Sequence, residues 1–191
     1  APFRQQIRLN TPVTGIRRHA THVEVSSAGY GVERFDQVFI ACHSDQALAM
    51  LRDASPQERA VLGAIPYQHN DVVLHTDTSL LPRRRLAWSA WNYHRLAGDK
   101  DAVAVTYNMN LLQGLSTEQT YLVTLNNSAA IDPDKIIKRL SYDHPVFTQD
   151  GIAAQQRQGE INGVRRSYYC GAYWRNGFHE DGVVSALNAL A

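Results

Sequence analysis

The closing stretch of the chain constrains it most: Tyr168-Tyr169-Cys170-Gly171-Ala172-Tyr173-Trp174-Arg175-Asn176-Gly177-Phe178-His179-Glu180-Asp181-Gly182. An aromatic, apolar run ends at Gly171, glycines bracket a short loop, and the tail spaces Val183, Leu187 and Leu190 at helical intervals. Strand, glycine loop and helix in that order bring unpaired backbone N–H groups and the positive end of a helix dipole to one point. A phosphate or an electron-rich ring edge can settle there, and glycines let it approach the backbone closely. The same residues also read as a surface helix capped by its own acids, since Glu180 and Asp181 fall where carboxylates favour the dipole. Spacing alone does not decide between the two.

A chain of 191 residues with 44% hydrophobic content can build one domain or two small ones. Its 19 basic and 18 acidic side chains leave a formal charge of +1, which gives no electrostatic reason to expect nucleic acid or an anionic membrane as partner. Cys42 and Cys170 each end an apolar run, the setting of a reduced buried thiol, and this points to the cytoplasm. No run approaches the length of a membrane span.

From Asn10 to Ala41 the pattern is β. Thr11–Arg18 and Thr21–Ser26 alternate about a turn near His19-Ala20, and Gly29-Tyr30-Gly31 reverses the chain into Val32–Phe35, which makes a three-stranded meander. Phe35–Cys42 is a continuous apolar run, predicted as a strand buried on both faces, with Ser44-Asp45 as cap for a helix through Gln46–Arg52. Ser55 caps a proline-started helix from Pro56 that stops at Gly63. Strands are expected over Tyr67–Asp77, Leu86–Arg95, Ala102–Asn110 and Thr120–Leu125, with a turn at Gly98-Asp99. Lys135–Leu140 fits strand or helix. A helix over Gln149–Gln158 and a turn at Asn162-Gly163 lead into the closing strand. The fold class is therefore α+β, with a mixed sheet carrying helices on one face, plus the meander and the closing βα unit.

None of His19, His22, His43, His69 and His75 has a recognised metal-ligand spacing, so these histidines read as structural and no metal is expected. His179 differs because it stands in the glycine loop at the helix start, where it could tune a ring edge or relay a proton, or only hydrogen-bond the loop. Strand alternation pairs Trp88 with Asn92 on one face and Trp91 with Tyr93 on the other, so one pair packs in the core and the other lines a cleft or the surface. Arg83-Arg84-Arg85 reads as a solvated turn or a docking patch for an anionic group. There is no Gly-x-Ser-x-Gly elbow, and Cys42 beside His43 cannot act as a catalytic pair, since strand neighbours point to opposite faces.

Cys170-Gly171-Ala172-Tyr173 followed by Gly177-Phe178-His179-Glu180-Asp181-Gly182-Val183-Val184-Ser185-Ala186-Leu187 resembles the C-terminal flavin-binding segment of the flavin-containing amine oxidase superfamily. More narrowly, it resembles predicted FAD-dependent oxidoreductases that end in Gly-Phe-His-Glu-Asp-Gly. The resemblance implies that Gly171, Ala172, Tyr173, Gly177, Phe178, His179, Glu180, Asp181 and Gly182 surround FAD, and that Val13 in the meander meets the adenine. Residues 1–45 and 160–191 would then belong to an FAD-binding domain and residues 46–159 to a substrate domain, with Trp88, Trp91 and Tyr93 lining the substrate pocket.

The glycine fingerprint that opens such FAD domains, G-x-G-x-x-G after a first strand, is absent from this sequence. The chain thus reads as the C-terminal part of a longer oxidoreductase, expected to hold no flavin and to be inactive by itself. The chain departs from the amine oxidases at three places: Tyr173 stands where they commonly carry an acid, Phe178 stands in place of a cage tyrosine, and none of Lys100, Lys135 and Lys138 sits in a strongly apolar strand as their flavin-side lysine does. These departures count against amine oxidation and not against the flavin. The narrower relatives often accompany cyclopropane fatty acyl synthase-like enzymes, which adds a lipid acyl chain to amines as a substrate class. The alternative is a non-catalytic module that binds an acyl chain or a protein. An unpaired sheet edge is expected to drive self-association.

Overall fold

The computed structural model describes residues 2–96 and 103–190; Gly98, Asp99, Lys100 and Ala102 lie outside the described residues. Helices and strands occur together in an α+β arrangement, and contacts divide the chain into two units, Ala1–Tyr67 with Pro145–Ala191, and Gln68–His144. The contact boundaries therefore fall after 67 and before 145, where the family resemblance implied boundaries after 45 and before 160.

In the first unit β1 (Val13–Arg18), β2 (Val23–Ser27) and β3 (Gly31–Phe35) form the antiparallel meander, in that order. Its second turn is made possible by Gly29 and Gly31, both with left-handed φ (84° and 73°). β4 (Val38–Ile40) pairs in parallel with β10 (Ser167–Tyr169). The two-faced burial predicted for β4 does not occur: Ile40 is buried but Phe39 is 45% exposed. Among the described residues only β10 joins this strand, so one face meets the core while Phe39 stacks outward on Tyr168 (ring centroids 4.5 Å, 8° apart).

Helix α1 (Ser44–Met50) follows, and Ser44 sits inside it rather than capping it; His43 holds the cap position without a side-chain bond. Helix α2 (Pro56–Leu62) carries the capping box the sequence implies, the Glu58 amide donating to Ser55 Oγ and the Ser55 amide to Glu58. Helix α4 (Gln149–Gln155) is capped by Thr148, and α5 (His179–Leu190) ends the chain. Ile16, Val23, Ile40, Val61, Leu62, Tyr169 and Trp174 form the centre of this unit's core.

At the base of that core lies a buried ionic cluster. Arg18 donates two bonds to the Glu58 carboxylate (2.7 and 2.8 Å), one to Asp53 (2.8 Å) and one to the Tyr169 hydroxyl (3.1 Å), while that hydroxyl donates to Glu58 (2.6 Å). The cluster ties the meander, α2 and the closing strand together.

The second unit is built on a five-stranded sheet in the order β6-β7-β8-β5-β9, comprising β5 (Tyr67–His75), β6 (Trp91–His94), β7 (Ala104–Asn108), β8 (Leu122–Leu125) and β9 (Ile136–Pro145). β6/β7, β7/β8 and β5/β8 pair antiparallel. Helix α3 (Met109–Gln113) is capped by Asn108 and ends at Gly114, whose φ is 63°. The segment ambiguous in sequence at Lys135–Leu140 is the start of β9.

The strand predicted from Leu86 starts only at Trp91. Leu86 sits in a short 3-10 turn, fully exposed, because the Trp88 indole N–H donates to the Pro82 carbonyl (2.8 Å) and folds the segment back. The Arg85 guanidinium lies over the Trp88 ring at 5.1 Å.

A chain of hydrogen bonds crosses this sheet. The Asp77 amide donates to His75 Nδ1 (3.1 Å), so His75 carries its proton on Nε2 and donates to Thr124 (2.7 Å). Thr124 then donates to Thr106 (2.7 Å) and Thr106 to His94 Nε2 (2.7 Å), which leaves the His94 proton on Nδ1. Burial lowers the pKa of both histidines and keeps them neutral. Heteronuclear NMR is expected to show opposite tautomers, Nε2–H for His75 and Nδ1–H for His94. Thr106→Val, which breaks the chain in its middle, is expected to cost about 1–3 kcal/mol in denaturant unfolding.

Candidate functional site

The closing βα turn is assembled from β10, a 3-10 turn over Ala172–Trp174 and the start of α5. β10 continues past its last ladder pair, with the Cys170 amide donating to the Ile40 carbonyl (3.0 Å). Gly171 is glycine for a packing reason: a Cβ there would lie 2.4 Å from the Tyr173 ring. Tyr173 and Trp174 turn inward, each 4% exposed, and the Trp174 indole N–H donates to the Tyr169 carbonyl (2.9 Å). Gln155, on α4, clamps the loop by donating to the carbonyls of Tyr173 (2.8 Å) and Arg175 (2.7 Å).

The loop satisfies much of its own backbone. Gly171 N–H donates to Ser185 Oγ (2.8 Å), and Gly177 N–H to the Ala172 carbonyl (3.2 Å). Asn176 and Phe178 both donate to the Asp181 carboxylate (3.2 and 3.0 Å), and Arg175 Nε lies 3.7 Å from the same group. Asp181, 7% exposed, thus acts as an intrachain cap, the acid-capped alternative that the sequence left open. The amides of Gly171, Gly177 and Phe178 are accordingly not free for a ligand.

What stays open is narrower than the full loop. Among the described residues, the amides of Ala172, His179 and Glu180 donate no hydrogen bond. Gly182 packs beside them: a Cβ added to it would have the Ala172 nitrogen, at 3.9 Å, as its only near neighbour. The chain's own packing therefore leaves room for a larger residue at this helical position, where glycine costs about 0.5–1 kcal/mol relative to alanine. Gly177 is different, since its φ of 87° requires glycine. Phe178, His179 and Glu180 are all exposed at the rim.

Tyr173 is the residue furthest from its expected place. Its ring is in the core, its hydroxyl is buried without a partner, and burial raises its pKa well above the ordinary phenol range. Val13 opens β1, 38% exposed, on a cleft of about 690 Å³ shared with Arg8, Thr11 and Phe35. In the second unit Trp91 and Tyr93 share the exposed face of β6 (52% and 69% exposed), and Trp91 meets Tyr107 edge-on at 5.0 Å. Trp88 lies outside that strand, so the predicted Trp88/Asn92 face does not form. Lys135 is engaged with Asp77 (3.3 Å) and Asp132 (3.4 Å), and Lys138 is exposed. Sequence reasoning missed Gln155 and Ser185; a long-range clamp leaves no local signal, but a serine one turn after Gly182 is a readable hint.

The outer face of α5 is its apolar one. Val183, Leu187 and Leu190, the periodic apolar positions, are 55%, 61% and 70% exposed, while Asp181, Ser185 and Ala189 face inward. Both cysteines are free thiols, and among the described residues no helix is long and apolar enough to cross a membrane.

No protein-family profile and no curated protein sequence matches the chain. Solved structures do. A CLA-producing fatty acid isomerase from P. acnes aligns with TM-score 0.58 at 14% identity over 93% of this chain and 46% of that one. Cyclohexylamine oxidase from Brevibacterium oxydans aligns with TM-score 0.56 at 15% identity, over 94% and 48%. Wild-type putrescine oxidase bound to putrescine aligns with TM-score 0.62 at 10% identity, over 99% and 49%. At such identities the likeness is one of fold, and this chain has the fold of about half of each of these enzymes.

Proposed function

We propose that the chain is part of an FAD-dependent oxidoreductase of the flavin-containing amine oxidase superfamily. In this reading the first unit contributes the meander and closing turn of the cofactor domain, and the second contributes the substrate domain. The observation that carries it is Gly182, a helical glycine that no contact among the described residues requires, set beside the open amides of Ala172, His179 and Glu180. A helix start with unsatisfied donors and no Cβ in the way fits the electron-rich end of a flavin ring. The internally bonded amides of Gly171, Gly177 and Phe178 hold the shape of this cradle rather than the ligand.

FAD supplies hydride acceptance when bound. The chain's own contributions are positional. The Ala172, His179 and Glu180 amides would orient the ring, His179 would hold or donate a proton at its edge, and Val13 would border the adenine. Trp91 and Tyr93 offer an apolar surface to an organic substrate. The fold likeness to a fatty acid isomerase and to two amine oxidases supports a lipid acyl chain or an amine as that substrate, and leaves non-redox use of the flavin as the second reading. Stopped-flow mixing of the flavin-loaded protein with fatty acids and with amines separates them: bleaching of the flavin marks oxidation, and product formation without bleaching marks isomerisation.

The isolated chain is expected to purify without flavin. Its exposed Val183, Leu187 and Leu190 face is expected to drive self-association. Leu187→Lys should lower the mass seen by light scattering; an unchanged mass would place the contact elsewhere.

A further inference from the structure

Away from the closing turn, the β1–β2 hairpin gathers three side chains of metal-ligand type. His19 and His22 close the turn, the His19 amide donating to the His22 carbonyl (2.8 Å), and Glu24 lies across from Arg17 two positions further in. Ile16, Arg18 and Val23 are buried, so strand alternation puts His19, His22 and Glu24 together on the outward face. Their atoms converge: His19 Nε2 is 3.1 Å from Glu24 Oε2, and His22 Nε2 is 3.6 Å from Oε1. One ligand atom from each of the three lies within 4.8 Å of the others. A tetrahedral ion with bonds of about 2.0–2.1 Å holds its ligand atoms about 3.3 Å apart, and each histidine stands near that distance from its own Glu24 oxygen.

The surroundings of His22 favour an ion over a set of hydrogen bonds. His22 Nε2 is sealed from solvent and has no hydrogen-bond partner. On the other side of the same ring, Thr21 Oγ1 lies 3.1 Å from Nδ1. In the tautomer with the proton on Nδ1, Thr21 Oγ1 accepts it and the Nε2 lone pair is bare, the outer-shell arrangement of a metal-bound imidazole. The His19 and His22 rings stack (centroids 4.5 Å, 12° apart), so one of them must turn about its side-chain bonds for both Nε2 lone pairs to meet one ion.

We infer that His19, His22 and Glu24 form a surface site for a first-row divalent cation of the zinc class, with water completing the coordination sphere. Two imidazoles and one carboxylate suit Zn²⁺, Cu²⁺ or Ni²⁺, whereas Mg²⁺ and Ca²⁺ demand oxygen ligands. Arg34, whose Nε lies 3.6 Å from Glu24 Oε1 on a side chain 72% exposed, is free to swing into solvent as the ion takes the carboxylate. Sequence spacing gave no such signal because hairpin register supplies the third ligand.

Isothermal titration of the whole chain with Zn²⁺ in chelator-free buffer tests the site independently of the flavin proposal. One saturable site is expected, weakened at least about tenfold by His22→Ala or Glu24→Gln, and unchanged by His69→Ala, which removes an exposed ring beside Asp143. Histidine-ring NMR of the unsubstituted chain gives a readout that no variant's folding can confuse: the His19 and His22 signals should move on adding Zn²⁺. Lack of saturable binding, equal affinity in the variants, or shifts confined to other histidines would overturn the assignment.

Discussion

Glu58→Ala is expected to destabilise the first unit by about 3–5 kcal/mol in chemical denaturation, because it leaves the buried Arg18 guanidinium without its bidentate partner. The two side chains are 1% and 3% exposed, so solvent cannot replace the lost contact. Asp53 still accepts from Arg18 Nε, which argues for the lower end of that range. Arg18→Met combined with Glu58→Leu should cost much less than the two single substitutions added together, since no charge is then stranded.

The same pair sets an acid limit. Burial by itself would raise the Glu58 carboxyl, but hydrogen bonds from Arg18, the Ser55 amide and the Tyr169 hydroxyl outweigh it and lower the pKa from 4.5 to about 2. A carboxyl depressed on folding contributes stability that is complete above its unfolded value and is lost as pH falls through the folded one. Wild-type stability should therefore decline from about pH 4.5 towards about 2 by roughly 3 kcal/mol on account of this group, a decline that Glu58→Gln flattens. Unfolding curves recorded across that pH window check both the sign and the size.

Gly182 gives the second large effect, with opposite signs in two settings. In the chain alone, Gly182→Ala should stabilise by about 0.5–1 kcal/mol, because alanine suits a helix better than glycine and the nearest atom to its Cβ is 3.9 Å away. In the proposed flavin-loaded parent, Gly182→Leu should reduce flavin affinity by at least about tenfold, or 1.4 kcal/mol, because the added side chain would occupy the proposed cradle. A residue retained only for helix geometry would show the first effect and not the second. Thermal unfolding and flavin fluorescence titration read the two separately.

Local signals carried much of the fold. The glycines at 29 and 31 set the second meander turn, and Ser55, Pro56 and Gly63 bound α2 where chain chemistry says they must. The order strand, glycine loop, helix at the C-terminus was equally legible. Periodicity, however, says which residues share a face and not which face is buried. Val183, Leu187 and Leu190 share one, yet the packed side of α5 is the small and polar one through Ser185 and Ala189.

The candidate site was legible only in outline for a related reason. Whether an amide is open depends on partners distant in sequence, such as Ser185 for Gly171 and Gln155 for the carbonyls of Tyr173 and Arg175. The late start of β6 follows from one side-chain bond, Trp88 to Pro82, that no strand propensity encodes.

The most direct measurement is the visible absorption spectrum of this chain co-expressed and co-purified with a glycine-rich dinucleotide-binding segment of the kind the proposed parent enzyme would supply. A bound flavin spectrum that disappears with Gly182→Leu is the predicted result. A folded, co-purifying assembly that stays colourless, or one whose flavin content ignores Gly182→Leu, would contradict the claim that the closing turn cups the cofactor.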